Sequence, residues 1–238
     1  MKKLAIIVPT CSYNDPDAHV YEQLLSKVFM ESLLTSCPEY DIKIYLGYNN
    51  DDKVYTEFDN RLLIEAKAVQ HKNLSFEWYM FDDNYKGKPT HIWNDLSRYA
   101  FVDGYEYHYA CGDDIMFPKD KGWVGKMIKD LKKNNNLGIC AGDSGNPDLP
   151  MTQFLYHKKH YDLFSWIYPP VIENWGCDNW IQEVYPKKYV LYYPQYRFYN
   201  LGGKPRYEVK FNENFIKALI KRYRPIINRH LSLQGNHM

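Results

Sequence analysis

The sequence predicts an α/β fold, in which a mostly parallel sheet is flanked by helices and followed by a basic C-terminal helix. First, strand-like and helix-like patterns alternate over the first half of the chain. Second, the apolar run Leu4–Val8 is typical of a strand that is buried on both faces. Third, polar clusters directly follow several predicted strands, as loops at the open edge of a parallel sheet do.

The first half of the chain predicts four strands joined by crossover helices. Short apolar runs indicate the strands, and apolar residues that recur every three or four positions indicate the helices. The predicted strands are Leu4–Val8, Ile42–Tyr48, Leu74–Phe81 and Tyr105–Cys111. The predicted helices run from about Asp17 to Leu33, over Glu57–Val69 and from about Thr90 to Phe101. Strands separated by helices in this way indicate a parallel sheet.

The pattern becomes less regular after residue 115. The predicted elements are a helix from Trp123 to Leu131, a strand over Leu137–Ala141, a loop over Gly142–Pro150, a helix over Thr152–Phe164, a short helix over Asn179–Tyr185 and a strand over Tyr189–Tyr193. We therefore predict one domain over residues 1–203, with a nucleotide-binding half (1–115) and an acceptor half (116–203). Residues 204–238 are predicted to form a basic helical extension.

Composition excludes several classes of protein. The 238 residues contain 30 basic and 29 acidic side chains, so binding of nucleic acid by bulk charge is not expected. Aromatic residues make up 17% of the chain, which argues against disorder. The five cysteines include no CxxC pair, which argues against a zinc site or a disulfide framework. The apolar run at the N-terminus ends at Pro9, too early for a signal peptide, and a cytoplasmic protein is expected.

The basic tail has two interpretations. From Asn214 onward the chain has no acidic residue, and it alternates basic with apolar side chains. Such a helix can rest on an anionic membrane surface, which would make the protein a peripheral membrane protein. It can equally dock on the domain through its apolar face, with its basic side chains in water, and we favour docking.

Polar clusters predict a ligand cleft at the carboxyl edge of the sheet. They are Thr10–Asp15 after the first strand, Asn49–Asp52 after the second and Gly112–Asp114 after the fourth. In open α/β sheets, ligands bind outside this edge. Asp113 and Asp114 repel each other unless a cation lies between them, and two carboxylates suit Mg²⁺ or Mn²⁺ holding a diphosphate. The alternative is an ordinary turn, in which Asp and Gly are common.

Asp178 is a candidate general base. It lies between two tryptophans in Asn174–Ile181, and apolar surroundings raise the pKa of a carboxylate. The alternative is that Asp178 caps the following helix. Asn179 and Gln182 fit a capping box better, which leaves Asp178 available for chemistry.

Three further side chains are candidates for binding. Lys88 precedes a predicted helix N-terminus, where a phosphate could bind, although the segment is not a P-loop. His157 and His160 are placed on the predicted helix after residue 152, and either could be a third metal ligand or an acceptor contact. The alternatives are a solvated surface lysine and structural histidines.

The sequence resembles glycosyltransferases of the GT-A fold, over roughly residues 4–193. The resemblance rests on the opening strand Ile6–Thr10, on Gly112–Ile115 and on Asp178. More specific are Thr152–Phe154, Lys159-His160, Phe164, Tyr168-Pro169 and Asn174–Ile181, which are similar to small nucleotide-sugar transferases of bacteria and large DNA viruses. The resemblance implies a Rossmann-like sheet and a nucleotide-diphosphate sugar donor, with a UDP-sugar favoured. It also implies a carbohydrate acceptor and a Mn²⁺ or Mg²⁺ ion at a DxD-like motif.

The resemblance also implies roles for individual residues. Gly112 replaces the first Asp of the motif, so Asp114 would bind the metal, with His160 as a further ligand, while Asp113 would face the ribose or the donor sugar. Thr10 and Asp51 would bind the nucleobase and the ribose, and Lys88 would bind the diphosphate. Asp178 would be the general base of an inverting transfer. The rings that would stack on sugar are Trp175, Trp180 and Tyr199. Tyr196 and Phe198 follow the last strand, where we see no core pattern that requires them.

Two other functions are compatible with these patterns. A sugar-nucleotide nucleotidyltransferase also binds nucleotide and metal beside a parallel sheet. Such enzymes usually carry a glycine-rich, basic loop after the first strand, whereas residues 11–15 contain neither glycine nor a basic residue. A non-catalytic carbohydrate- or nucleotide-binding protein could keep the same fold. Hydrolysis of the donor by the purified protein would separate the enzymes from this last class.

Overall fold

The structure, a computed structural model, describes residues 3–12, 15–36, 40–145, 151–202 and 206–235. Within these ranges seven strands form the central sheet: β1 (Lys3–Pro9), β2 (Asp41–Asn49), β3 (Leu74–Phe81), β4 (Tyr107–Ala110), β6 (Ile139–Asp143), β7 (Phe154–His157) and β8 (Val190–Arg197). Two short strands, β5 (Ile115–Met116) and β9 (Tyr199–Asn200), pair antiparallel in a second sheet.

The order of the central sheet is β3-β2-β1-β4-β7-β6-β8. β1 pairs in parallel with both β2 and β4, and β6 pairs in parallel with β8. β7 runs antiparallel to its neighbours β4 and β6. The prediction of an α/β fold with a mostly parallel sheet is therefore confirmed. The order reverses at β1, so the crevice between the carboxyl ends of β1 and β4 is the position at which such sheets bind ligands.

The helices are α1 (Glu31–Ser36), α2 (Phe58–Ala66), α3 (Pro89–Val102), α4 (Trp123–Lys133), α5 (Lys159–Phe164), α6 (Cys177–Val184) and α7 (Glu213–Gly235). They cover both faces of the sheet. Along β1, Leu4, Ile6 and Val8 pack into the core beneath α1, α2 and α4, whereas Ala5 and Ile7 pack on the side of α3, α6 and α7. Because successive side chains of a strand point to opposite faces, one apolar run supplies both cores.

The first predicted helix is wrong as a continuous element. Instead, the chain forms a short 3-10 turn at Val20–Glu22, a π-helical segment at Leu25–Met30 and only then α1. The Gln23 side chain donates to the carbonyls of Asp15 and Ala18 at 2.7 and 3.2 Å. These side-chain bonds stabilise a turn where a helix would use its own backbone groups.

The helix predicted over Thr152–Phe164 is also wrong. Phe154–His157 is strand β7, and a helix begins only at Lys159. β7 lies between β4 and β6, and Leu155 pairs with Tyr109 on one side and Cys140 on the other. All four residues of β7 are buried, so its apolar pattern has no polar face that would distinguish a central strand from a helix.

Helix α7 docks on the domain, as we favoured for the basic tail. Ile216, Leu219, Ile220 and Ile227 are buried, and α7 packs against α6. Residues 206–212, which we call the strap, form neither helix nor strand, although they lie in the segment predicted as a helical extension. No helix in the described parts of the chain has the length and apolar character that a membrane span needs.

Candidate functional site

A cleft of about 790 Å³ lies at the carboxyl ends of β1 and β4. Its walls come from the loops after these strands, from the start of α3, from the start of α6 and from the strap. The charged side chains that line it, among the described residues, are Lys88, Asp114, Asp178 and Arg206. Two carboxylates and two cations therefore face one cavity, whose size suits a small-molecule ligand.

Asp113 joins the ends of β1 and β4 but does not line the cleft. Its side chain is fully buried, and its Oδ2 accepts hydrogen bonds from Thr10 Oγ1 at 2.7 Å and from the backbone N–H of Cys11 at 3.3 Å. The guanidinium of Arg206 donates to both carboxylate oxygens, with NH1 2.9 Å from Oδ2 and NH2 close to Oδ1. Asp113 was predicted to face the ribose or donor sugar, whereas here it lies behind Arg206.

Asp114 does line the cleft, and its position explains the glycine in the motif. A Cβ atom at Gly112 would lie 2.6 Å from Asp114 Oδ1, and one at Gly202 would lie 1.8 Å from Oδ2. Both contacts are closer than carbon and oxygen tolerate, so this position of the carboxylate depends on two glycines. Burial, and the charge of Asp113, raise the pKa of Asp114 to about 6, although Arg206 opposes the rise.

The residues around Asp113 and Asp114 do not fit the divalent ion that the resemblance implies. An Mg²⁺ or Mn²⁺ ion needs several oxygen ligands, and the two oxygens of Asp113 already accept hydrogen bonds from Thr10, Cys11 and Arg206. Within the part of the chain that the structure describes, no three His, Cys, Asp or Glu side chains lie where they could hold a metal together.

His160 lies in the core and not at the cleft, which corrects its prediction as a metal ligand. Its Nδ1 is 2.6 Å from the hydroxyl of Tyr185, and its Nε2 is 3.0 Å from the carbonyl of Ile167. Burial lowers the pKa of His160 to about 4, so the ring is neutral and both nitrogens have partners inside the fold. His157 lies in β7 and not on a helix.

Asp178 lies in the first turn of α6, at the cleft wall. Gly176 precedes the helix with φ +89°, and a Cβ there would lie 2.8 Å from side-chain atoms of Ile216. This close approach lets α7 hold the start of α6 in place. Burial raises the pKa of Asp178 to about 7, with a weak opposing bond from the Cys177 thiol, 3.5 Å from Oδ1.

The predicted capping box at Asn179 is wrong. The helix begins after Gly176, and no side chain caps it. Gln182 Oε1 accepts a hydrogen bond from the backbone N–H of Met151 at 3.1 Å, so it does not reach back to the helix start. The Asp178 side chain does not cap the helix either, and its carboxylate lines the cleft.

Lys88 and Asp51 differ in their relation to the cleft. Lys88 lines it at the N-terminus of α3, and its Nζ is 3.6 Å from Glu173 Oε1. Asp51 is exposed, forms an ion pair with Lys86 and is not among the residues that line the cleft. Its neighbour Asp52, which the sequence analysis did not select, is buried and accepts from the backbone N–H of Ser12 at 2.7 Å. A run of polar residues does not tell which member points inward.

The aromatic side chains predicted to stack on sugar divide into two groups. Trp175 and Tyr199 line the cleft, with 47% and 37% of their surface exposed. Trp180 is fully buried against Trp166 and Tyr223, which corrects its prediction as a stacking ring. Phe198 and Tyr196 are buried in the other core cluster and do have a packing role.

Sequence reasoning did not identify Arg206. The residue lies 93 positions after Asp113, in a segment that was assigned to the basic extension. The strap reaches the cleft because Asn174, which is buried, binds it twice. Asn174 Nδ2 donates to the carbonyl of Glu208 at 3.0 Å, and its Oδ1 accepts from the N–H of Lys210 at 2.9 Å. No local pattern in the sequence signals this contact.

Comparisons with known proteins support the fold. No family model and no curated protein matches the chain. A cytidylyltransferase from Leptospira borgpetersenii serovar Hardjo-bovis (strain JB197) has a similar structure, with a TM-score of 0.50 and 12% identity over 95% of this chain and 97% of that chain.

Two other solved structures give lower scores. The inositol-1-phosphate CTP transferase from T. maritima gives 0.47, with 10% identity over 94% of this chain and 96% of that chain. A protein from Bacillus anthracis assigned as a glucose-1-phosphate thymidylyltransferase, solved with a sucrose, gives 0.48, with 11% identity over 81% and 86%. All three are described as nucleotidyltransferases. At such identities the likeness concerns the fold and not the activity.

Proposed function

We propose that this protein is a transferase that acts on nucleotide-linked sugars, and that it moves a sugar from a nucleoside-diphosphate donor to an acceptor hydroxyl. The observation that carries the proposal is Asp178, a carboxylate at the wall of the cleft with a pKa of about 7. A base whose pKa lies near neutral pH is suited to take a proton from a sugar hydroxyl.

The proposed reaction is a single displacement. The acceptor oxygen forms a bond to the anomeric carbon while its proton passes to Asp178. The bond from that carbon to the diphosphate oxygen breaks, and the nucleoside diphosphate leaves with the electron pair. The product would then have inverted configuration. Retention would instead require an enzyme nucleophile or attack from the same face, and Asp178 would not be needed as a base.

The cleft offers groups for both substrates. Thr10 and Lys88 lie at the ends of β1 and the start of α3, where they would meet the donor's nucleotide and diphosphate. Trp175 and Tyr199 present half-exposed rings to the same cleft as Asp114 and Asp178, and such rings can stack on a sugar.

A second candidate is nucleotidyl transfer, in which a sugar phosphate attacks a nucleoside triphosphate and pyrophosphate leaves. The solved structure with a TM-score of 0.50 favours it, because that protein is described as a cytidylyltransferase. The loop after β1 argues against it, since residues 10–12 hold Asp113 and Asp52 and offer no basic side chain to a triphosphate.

The identity of the leaving product separates the two candidates. The purified protein is incubated with nucleotide sugars and glycan acceptors, and separately with nucleoside triphosphates and sugar 1-phosphates, each with Mn²⁺ and with EDTA. Glycosyl transfer releases a nucleoside diphosphate, whereas nucleotidyl transfer releases pyrophosphate. Release of pyrophosphate alone would overturn the proposal in favour of the second candidate. Binding without any turnover would indicate a non-catalytic protein.

A further inference from the structure

We propose that Arg206, held in place by Asp113, is the cation that faces the donor's diphosphate in this cleft. The inference rests on the proposed function for the identity of its ligand. It follows from the contacts of Arg206, from the surface it presents and from the way the strap is anchored.

The guanidinium is bound firmly on its inner side. NH1 donates to Asp113 Oδ2 and to the carbonyl of Cys11, both at 2.9 Å, and NH2 donates to Asp113 Oδ1. Asp113 is itself held by the hydroxyl of Thr10 at 2.7 Å. Bidentate pairs between arginine and carboxylate are among the most rigid charged contacts in proteins. Asp113 therefore fixes the orientation of Arg206.

The outer side of the guanidinium faces the cavity. Arg206 lines the cleft with 14% of its side chain exposed, whereas Asp113 is 1% exposed and does not line it. Of the five N–H groups of arginine, the three hydrogen bonds above use three. Asp114 Oδ2 lies 3.7 Å from NH2, close enough for an ion pair but beyond hydrogen-bond distance. The guanidinium thus pairs with two carboxylates and still has N–H groups, not engaged in these bonds, that could donate to an anion in the cleft.

The strap brings Arg206 and Lys88 to the same cavity. Asn174 Nδ2 donates to the carbonyl of Gly87 at 3.1 Å and to that of Glu208 at 3.0 Å, so one side chain joins the start of α3 to the strap. Two cations from distant parts of the chain then line one cleft. A diphosphate carries two or more negative charges, which matches a pair of cations better than a single one.

A divalent ion held by Asp113 and Asp114 together would compete with Arg206. It would have to displace a guanidinium that binds both oxygens of Asp113 and forms an ion pair with Asp114. The diphosphate is therefore expected to bind through Arg206 and without a divalent ion.

The test measures binding of inorganic pyrophosphate and of a panel of nucleoside diphosphates by calorimetry, in EDTA and in Mn²⁺. We expect binding in EDTA, with the dissociation constant changed less than about 3-fold by Mn²⁺. Arg206→Ala and Arg206→Gln should weaken binding about 10- to 100-fold, the range for a lost charge-assisted contact. Lys217→Ala is the matched control, because it removes one positive charge from the exposed face of α7, where Lys217 pairs with Glu213.

Asp113→Asn gives a test of opposite sign. The change removes a negative charge near the cleft, so simple electrostatics predicts tighter binding of an anion in EDTA. If Asp113 orients Arg206, binding should instead weaken, by about 5-fold or more. Thermal unfolding followed by circular dichroism checks that each variant is folded, and Arg206→Lys, which keeps the charge without the bidentate geometry, should fall between wild type and Arg206→Ala.

Two results would overturn the inference. One is pyrophosphate binding that requires Mn²⁺ and is unchanged or tighter in Arg206→Ala, because Arg206 would then only cover a metal site. The other is binding in EDTA that Arg206→Ala leaves unchanged. Failure of the proposed function looks different: pyrophosphate would bind through Arg206, while no nucleotide or nucleotide sugar would bind more tightly than pyrophosphate itself.

Discussion

Asp113 and Asp178 lie near the same cleft, yet their surroundings are opposite. Asp113 is fully buried and accepts hydrogen bonds from Thr10, from the backbone of Cys11 and from Arg206. Asp178 faces the cavity, and the thiol of Cys177, a weak donor, lies 3.5 Å from its Oδ1. Strong donors and a cation stabilise a charged carboxylate, whereas burial without them destabilises it.

The comparison shows that residue type alone does not assign a role at this site. A carboxylate with a cation and several donors is suited to hold other groups in position. Burial raises the pKa of Asp178 to about 7, so this carboxylate can gain and lose a proton at neutral pH. The predictions below test this division, from the largest expected effect to the smallest.

The largest effect is expected from Asp178→Asn. The amide cannot accept the proton of the acceptor hydroxyl, so kcat should fall by about 10²- to 10⁴-fold while the donor still binds. Single-turnover kinetics and calorimetry with the donor measure the two quantities. Full activity in this variant would remove Asp178 from the mechanism, and equal loss of donor binding would indicate a structural role.

The wild-type pH profile tests the same residue without substitution. The base must be ionised to act, so kcat/KM should rise with pH through about 7 and level off above it. Below pH 6 the rate should drop about tenfold per pH unit. A profile that is flat between pH 5.5 and 8 would contradict the assignment of a base with this pKa.

The stabilities of two variants should respond in opposite directions. Burial raises the pKa of Asp178 in the folded state from its unfolded value of about 4 to about 7. The free energy of unfolding of the wild type therefore falls as the pH rises from about 4 to about 7, because only the unfolded chain releases the proton in that range. Asp178→Asn lacks this loss, so at pH 8 it should exceed wild type in free energy of unfolding by on the order of 2 kcal/mol, and the difference should shrink at pH 5.

Asp113→Asn is the counterpart in this comparison. It leaves Arg206 without its charged partner, and it should lower the free energy of unfolding at pH 8 by on the order of 1–3 kcal/mol. Urea denaturation at both pH values measures both variants. A stabilised Asp113→Asn or a destabilised Asp178→Asn at pH 8 would break the distinction between the two aspartates.

The smallest effect is expected from Trp175→Ala, and the buried Trp180 serves as its contrast. Trp180→Ala removes a fully buried ring and should cost about 3–5 kcal/mol of stability. Trp175→Ala, at a half-exposed position, should change stability by less than about 0.5 kcal/mol and raise the KM for the acceptor or donor a few-fold. An unchanged KM would remove Trp175 from the site.

The parallel part of the sheet was predictable because its signals are local. β3 has the predicted bounds, Leu74–Phe81, and β2 and α3 differ from their predictions by one residue at each end. Their strands are apolar runs and their helices have a clear period, which the chain shows without its partners. β7 was missed because Phe154–His157 is buried on every side, and burial on every side removes the period that distinguishes a strand from a helix.

The candidate site was predictable in part for the same reason. Asp114 and Asp178 stand out in the sequence as carboxylates beside apolar segments, and both line the cleft. His160 carries no mark in the sequence that separates a ligand from a core histidine, and it lies in the core. Arg206 meets Asp113 across 93 residues, and only folding brings the two together.

The sequence by itself determined the α/β class, the parallel strands and the presence of acidic residues at the open edge of the sheet. These features follow from patterns within a few neighbouring residues. The tertiary structure decided which acidic residue is bonded to strong donors, which faces the cavity and which cation pairs with them. Those properties depend on burial and on long-range contacts, such as the one that Asn174 makes with the strap, because a carboxylate's charge state is set by what surrounds it.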